Sequence, residues 1–240
     1  MNTSNQDNQI VIRKADERGG ADFGWLKSRH SFSFGEYYDP NHMGFRSLRV
    51  INEDRVAGGA GFPTHPHRDM EIFSYVLEGA LAHKDSMGNE RILKPGQIQL
   101  MSAGRGVTHS EYNHNRDIPT HFLQIWIQPR ERGLSPTYTE WHPDPQREHE
   151  AKILVISDDG RDGSATIHQD AHVYRIRLAA GETVSHELIT GRGLWLQVMR
   201  GSVTFNAIEL NTGDGAGSNQ PMRYDIKAIQ PAEALLFDLT

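Results

Sequence analysis

Along most of the chain, apolar and polar residues alternate with a period of two. Segments rich in valine, isoleucine, leucine and aromatic residues fall at 47–51, 71–77, 98–101, 122–127, 153–156, 172–178, 194–199, 203–205 and 234–239. Turn-forming punctuation separates them, as in Gly58-Gly59, Asp85-Ser86-Met87-Gly88-Asn89 and Pro95-Gly96. Many short strands divided by turns predict an all-β sandwich or barrel. No long amphipathic helix pattern competes.

The texture changes where Pro129, Pro136, Pro143 and Pro145 fall among charged residues. Proline donates nothing to a ladder, so this stretch predicts a poor strand region and a linker. The expected division is a disordered polar tail over 1–10, a first domain over 11–130, a linker over 131–150 and a second domain over 151–240. The halves echo one another. Val76-Leu77-Glu78-Gly79 followed by Leu93-Lys94-Pro95-Gly96 is matched by Val198-Met199-Arg200-Gly201 followed by Leu210-Asn211-Thr212-Gly213. That self-similarity suggests two copies of one β-fold.

Composition narrows the chemistry. The 240 residues carry a formal charge of −6, which argues against a nucleic-acid sleeve. No run approaches the ~20 apolar residues of a membrane helix. The N-terminus lacks the basic and apolar regions of a secretory signal, so a cytoplasmic protein is expected. There is no cysteine, which removes thiolate metal sites and cysteine nucleophiles. Thirteen histidines leave nitrogen and oxygen metal chemistry open.

Spacing sharpens this. His65 and His67 stand at i and i+2, so on a strand both imidazoles face one side. His109 and Glu111 repeat the geometry with a ring and a carboxylate. Imidazole and carboxylate suit iron, manganese, nickel, copper or zinc. Glu71 shares the parity of His65 and His67, so an uninterrupted strand would aim it inward too. Gln124, a polar residue in an apolar strand, needs a partner, which Glu111 or a metal-bound water would supply. His30, His83 and His121 are expected at the surface, and His142, His149, His168 and His172 in solvent.

The run Gly59, His65-x-His67, Glu71, Gly79 resembles the first motif of the cupin superfamily, and Pro95-Gly96 followed by His109 is similar to the second. More specifically, Ser31-Phe32-Ser33-Phe34, Leu48-Arg49-Val50-Ile51-Asn52, Gly61-Phe62-Pro63-Thr64-His65-Pro66-His67 and Met101-Ser102-Ala103-Gly104-Arg105-Gly106-Val107-Thr108-His109-Ser110-Glu111 resemble the pirin family of two-domain cupins, some of whose bacterial members are described as quercetin 2,3-dioxygenases. The resemblance implies two tandem cupin barrels, a bicupin. It implies His65, His67, His109 and Glu111 as ligands of one divalent metal, Fe2+ first, with Mn, Ni, Cu and Zn as alternatives. Glu71 then becomes a supporting residue behind the ligands.

The second half has no His-x-His and no histidine after its Gly213 turn, so its barrel is expected to hold no metal. The activity implied is ring opening of a flavonol such as quercetin by O2, giving a depside and carbon monoxide. Glu111 would accept a proton, and Phe32, Phe34, Phe62 and Gln124 would contact the small aromatic substrate. The alternatives are a redox- or metal-sensing regulatory protein with a protein partner and no turnover, and a zinc cupin with another reaction. Neither nucleic acid nor membrane is an expected partner.

Overall fold

The computed structural model describes residues 10–240, and in it the period-two segments are antiparallel strands. The expected tail falls, but for its last residue, outside the described residues. Among these, the helical pieces are two three-residue 3-10 turns, Ala15–Glu17 and Arg161–Gly163. Among the described residues no helix is long and apolar enough to cross a membrane. The all-β expectation holds, and the strands fall into two units.

One unit comprises Gly19–Pro143 and Asp158–Gln169. Its seven-stranded sheet runs Thr137–Trp141, Ile98–Ser102, Glu71–Glu78, Thr120–Ile127, Leu48–Val56, Leu26–His30 and Gly19–Asp22. Its four-stranded sheet runs Gly61–His67, Val107–Asn113, Leu81–Asp85 and Glu90–Leu93. The register of the larger sheet aligns six polar residues into one rung: His30, Asn52, Gln124, Ser74, Gln99 and Glu140. Two apolar clusters flank that rung inside the barrel. Leu26, Val56, Val76 and Phe122 form part of one, and Ile72, Met101, Val107 and Trp126 belong to the other. Buried polar atoms need partners, so a polar layer between two dry ones marks where the fold accommodates chemistry.

The other unit comprises Asp144–Ser157 and Asp170–Thr240, with the described residues 10–18. Val11–Arg13, Gly215–Ser218, Gly193–Arg200, Ala232–Leu239, Ala171–Leu178 and Lys152–Ser157 follow one another in one sheet. Thr183–Glu187, Arg223–Ala228, Ser202–Phe205 and Ile208–Asn211 form the second. Here the strand Arg223–Ala228 carries Tyr224, Ile226 and Ala228 inward, and they join Leu194, Phe205 and Leu236 in an apolar core. His186 is buried and bonded to Asp238 at 2.8 Å, and Trp195 is a core residue.

The internal echo is structural. Gly79 and Gly201 each follow the equivalent strand with a φ near +75°, at 79° and 73°. A Cβ at Gly79 would meet Thr120 Oγ1 at 2.6 Å, and one at Gly201 would meet Pro231 O at 2.0 Å. A left-handed backbone against a close neighbour requires glycine.

The structure draws the domain limits differently from the expected 11–130 and 151–240. Val11–Arg13 pairs with Gly215–Ser218, and Lys14 bonds Asp214 at 2.8 Å, so the first strand completes the C-terminal unit. Residues 158–169 complete the N-terminal one, where His168 N–H donates to Glu71. The expected linker contains the strand Thr137–Trp141, paired with Ile98–Ser102. Its prolines lie outside a five-residue β-forming run, Thr-Tyr-Thr-Glu-Trp, and an edge strand tolerates proline beside it.

Candidate metal centre

The strands Gly61–His67 and Val107–Asn113 are neighbours, with His65 opposite His109 and His67 opposite Val107. Alternation along both strands turns His65, His67 and His109 toward one point. Their ring centroids lie 4.5–4.8 Å apart, and their ligand atoms all fall within 4.8 Å of one another. His65 Nδ1–H faces Pro63 O at 2.7 Å, which leaves its Nε2 as the free lone pair. His67 Nε2 and His109 Nε2 are buried and have no hydrogen-bond partner.

Burial first, then the neighbouring imidazoles, lowers the pKa of His67 to about 4 and of His109 to about 3. Both rings are therefore neutral at ordinary pH, the form that ligates. Buried, unpartnered, neutral nitrogens converging on one locus fit a divalent transition metal, and the donor set suits iron, nickel, copper or zinc.

Glu111 is buried beside them on the four-stranded sheet and bonds the polar rung of the larger one. Ser74 Oγ donates to its Oε1 at 2.9 Å, Gln99 Nε2 to the same oxygen at 3.4 Å, and Gln124 Nε2 to Oε2. It does not join the three histidines in a single ligand set. It groups instead with His109 and His83. A shift in register between His109 and Glu111 accompanies this separation.

Glu71 takes a different place from the one its parity predicts. The strand Gly61–His67 ends at His67, Asp69 turns with a φ of 50°, and Glu71 begins a strand of the other sheet. There its carboxylate accepts Ser102 Oγ–H at 2.5 Å and His168 N–H at 3.2 Å, and neither is a member of the histidine trio. Burial raises its pKa, and those bonds oppose the rise.

A cavity of about 540 Å³ opens onto His65 and His67. Phe34, Phe62 and Trp126 supply much of its aromatic lining, with Gln124 among its polar groups. Phe34 meets Trp126 edge-on at 5.4 Å, and Trp126 meets His67 edge-on at 4.9 Å. Phe32 does not line this cavity and is buried in the core. Its strand ends at His30, and Ser33 N–H turns to His42 O, so alternation no longer aligns Phe32 with Phe34.

On the far wall Ser28 donates to Asp54, and His30 Nδ1 pairs with Asn52 Oδ1 at 2.7 Å. Burial, with the nearby Glu111 and Glu53 charges, raises the pKa of Asp54 to about 7 against the Ser28 bond.

His30, His83 and His121 are all buried, contrary to the surface expectation. His83 is 1% exposed and bonds Gln99 Nε2 at 2.8 Å. The signal for it was parity. Leu81, His83 and Asp85 share the buried face of their strand. Ser74, Asn52 and Asp54 carried the same signal as Gln124, a polar residue within an apolar strand. His168 is held by Ser102 at 2.8 Å rather than free in solvent.

The family model for pirin matches residues 11–127, and that for the quercetinase C-terminal cupin domain matches residues 154–239. Quercetin 2,3-dioxygenase of Escherichia coli strain K12 is 48% identical over 230 residues, covering 96% of this chain and 98% of that protein. A pirin-like protein of Caulobacter vibrioides is 41% identical over 232 residues, covering 95% and 99%. Among solved structures, the bacterial pirin YhhW from Escherichia coli in complex with nickel(II) matches with a TM-score of 0.92 at 47% identity, covering 96% of this chain and 99% of that one.

Proposed function

The chain belongs to the pirin family of two-domain cupins, and from that premise we propose that it is a metal-dependent dioxygenase that opens the central ring of a flavonol such as quercetin. One observation carries the reading. Three imidazoles converge on one point, two of them with buried, unpartnered nitrogens, beside an aromatic-lined cavity of about 540 Å³. That volume lies within the range of small-molecule sites.

His65, His67 and His109 would hold the metal, and Glu111, which groups with His109 but not with the full trio, would be the fourth donor only after moving toward them. Fe2+ is the first candidate, and the nickel(II) complex of YhhW is in keeping with a divalent ion at this kind of site. A bound divalent metal supplies positive charge and open positions for an anionic oxygen and for O2 chemistry.

The remaining work falls to the chain. Phe34, Phe62 and Trp126 grip the planar ring system by its faces and edges and exclude water. Glu111 takes the proton of the flavonol 3-hydroxyl, and Ser74, Gln99 and Gln124 fix its carboxylate for that transfer. The overall change is balanced: flavonol plus O2 gives depside plus carbon monoxide.

The assay is loss of flavonol absorbance by metal-loaded protein with and without oxygen. Loss that requires both metal and O2 is expected, and His65→Ala abolishes it. No oxygen-dependent loss with iron, manganese, nickel or copper would remove the dioxygenase reading.

A further inference from the structure

Behind His109 lies a hydrogen-bonded chain in which the proposed reaction gives His83 and Asp85 no part. Asp85 Oδ2 is 3.4 Å from His83 Nε2, and His83 Nδ1 is 2.8 Å from Gln99 Nε2 and 3.4 Å from His109 Nδ1. Every one of these groups is buried.

The protons on this chain can be assigned one at a time. Asp85 accepts the N–H groups of Met87, at 2.9 Å, and Asn89, at 3.0 Å, together with the Asn89 amide, at 2.8 Å. Surrounded by donors, it is an acceptor, so His83 presents Nε2–H to it. The Gln99 amide nitrogen spends one hydrogen on Glu111 Oε1 and the other on His83 Nδ1. His83 Nδ1 is then a lone pair. That one lone pair is shared, by Gln99 at 2.8 Å and more weakly by His109 at 3.4 Å, so the hydrogen in the longer contact sits on His109 Nδ1. A neutral ring with Nδ1–H carries its lone pair at Nε2, the buried atom that has no partner and joins the convergent trio.

We propose that His83 is a positioning residue for the metal centre: clamped by Asp85 and Gln99, it holds His109 in the tautomer and orientation that present Nε2 to the metal. The inference rests on the trio being the metal site and is independent of which substrate is turned over. Outer partners of this kind raise ligand basicity and change metal affinity by about 10–100-fold when lost. Here Gln99 touches both His83 and Glu111, so one amide registers the two members of the Val107–Asn113 strand that face the site.

Two variants separate positioning from packing. His83→Leu removes the acceptor, whereas His83→Asn keeps an oxygen close to the Nδ1 position. Calorimetric titration of each metal-free protein with Ni2+, and the visible spectrum with Co2+, provide readouts that need no flavonol. His83→Leu is expected to lose about 10–100-fold in Ni2+ affinity and to alter the Co2+ spectrum. His83→Asn is expected to stay within a few-fold of wild type.

Equal affinity and an identical spectrum for His83→Leu would overturn the inference. Nitrogen-15 spectra of the wild-type imidazoles test the same point without any substitution. His83 is expected as the Nε2–H tautomer and His109 as the Nδ1–H tautomer, and an Nδ1–H form of His83 would overturn it. Wild-type protein that binds Ni2+ tightly without consuming a flavonol would count against the dioxygenase reading alone.

Discussion

Asp54 is a carboxyl group on the cavity wall with the water stripped from it, and it gives a residue-scale test of the polar interior. Its pKa is raised from the ordinary 3.8 to about 7. Between those values the folded chain keeps a proton that the unfolded chain has released. Raising the pH through that window therefore favours unfolding, and the effect levels off above about 7. Urea unfolding of metal-free Asp54→Asn at pH 5 and pH 7.5 is expected to lack this loss, a difference of about 2.5 kcal/mol between the two proteins' pH responses. Identical pH responses would show that the carboxyl is ionised in the fold. At this scale the sequence was legible where two residues share one strand, as with His65 and His67. It misled where parity was carried across a turn, as with Glu71, whose strand starts anew after Asp69. It also misled where a histidine was weighed by itself, since Leu81 and Asp85 marked the buried face on which His83 lies.

At the scale of elements, glycine turns set the strand registers that deliver the site. Gly79 joins Glu71–Glu78 to Leu81–Asp85, the strands that carry Ser74 and His83. With a φ of 79° and Thr120 Oγ1 in the way at 2.6 Å, Gly79→Ala meets both a handedness cost and a clash. The handedness cost alone is about 1–2 kcal/mol, so the urea midpoint should fall by at least that much. The folded fraction should keep its metal stoichiometry, because no member of the trio lies on these two strands. Alternation and the glycine turn made Glu71–Glu78 readable in advance, while Leu81–Asp85 was not among the segments the pattern picked out. Thr137–Trp141 was not readable, because the surrounding prolines dominate a window that a five-residue edge strand barely fills.

For the whole molecule, the chain passes between its two units four times, after Arg18, Pro143, Ser157 and Gln169. The matched glycine-turn segments suggested the twofold repeat but not these crossings, since ladder partners such as Val11 and Gly217 are distant in sequence and share no local pattern. A fragment ending at Pro143 lacks the His168 N–H that satisfies the buried Glu71 carboxylate. It is expected to melt well below the intact chain or to aggregate, and a fragment that melts with the full protein would contradict this. The crossings also order events at the ribosome. Val11–Arg13 emerges early, but its ladder partner Gly215–Ser218 is translated about 200 residues later, a delay of roughly 10–40 s at ordinary elongation rates. The N-terminal barrel likewise waits for residues 158–169. Synthesis therefore cannot release one finished domain before the other begins, and the nascent chain keeps an unpaired strand exposed until Gly215–Ser218 has been made.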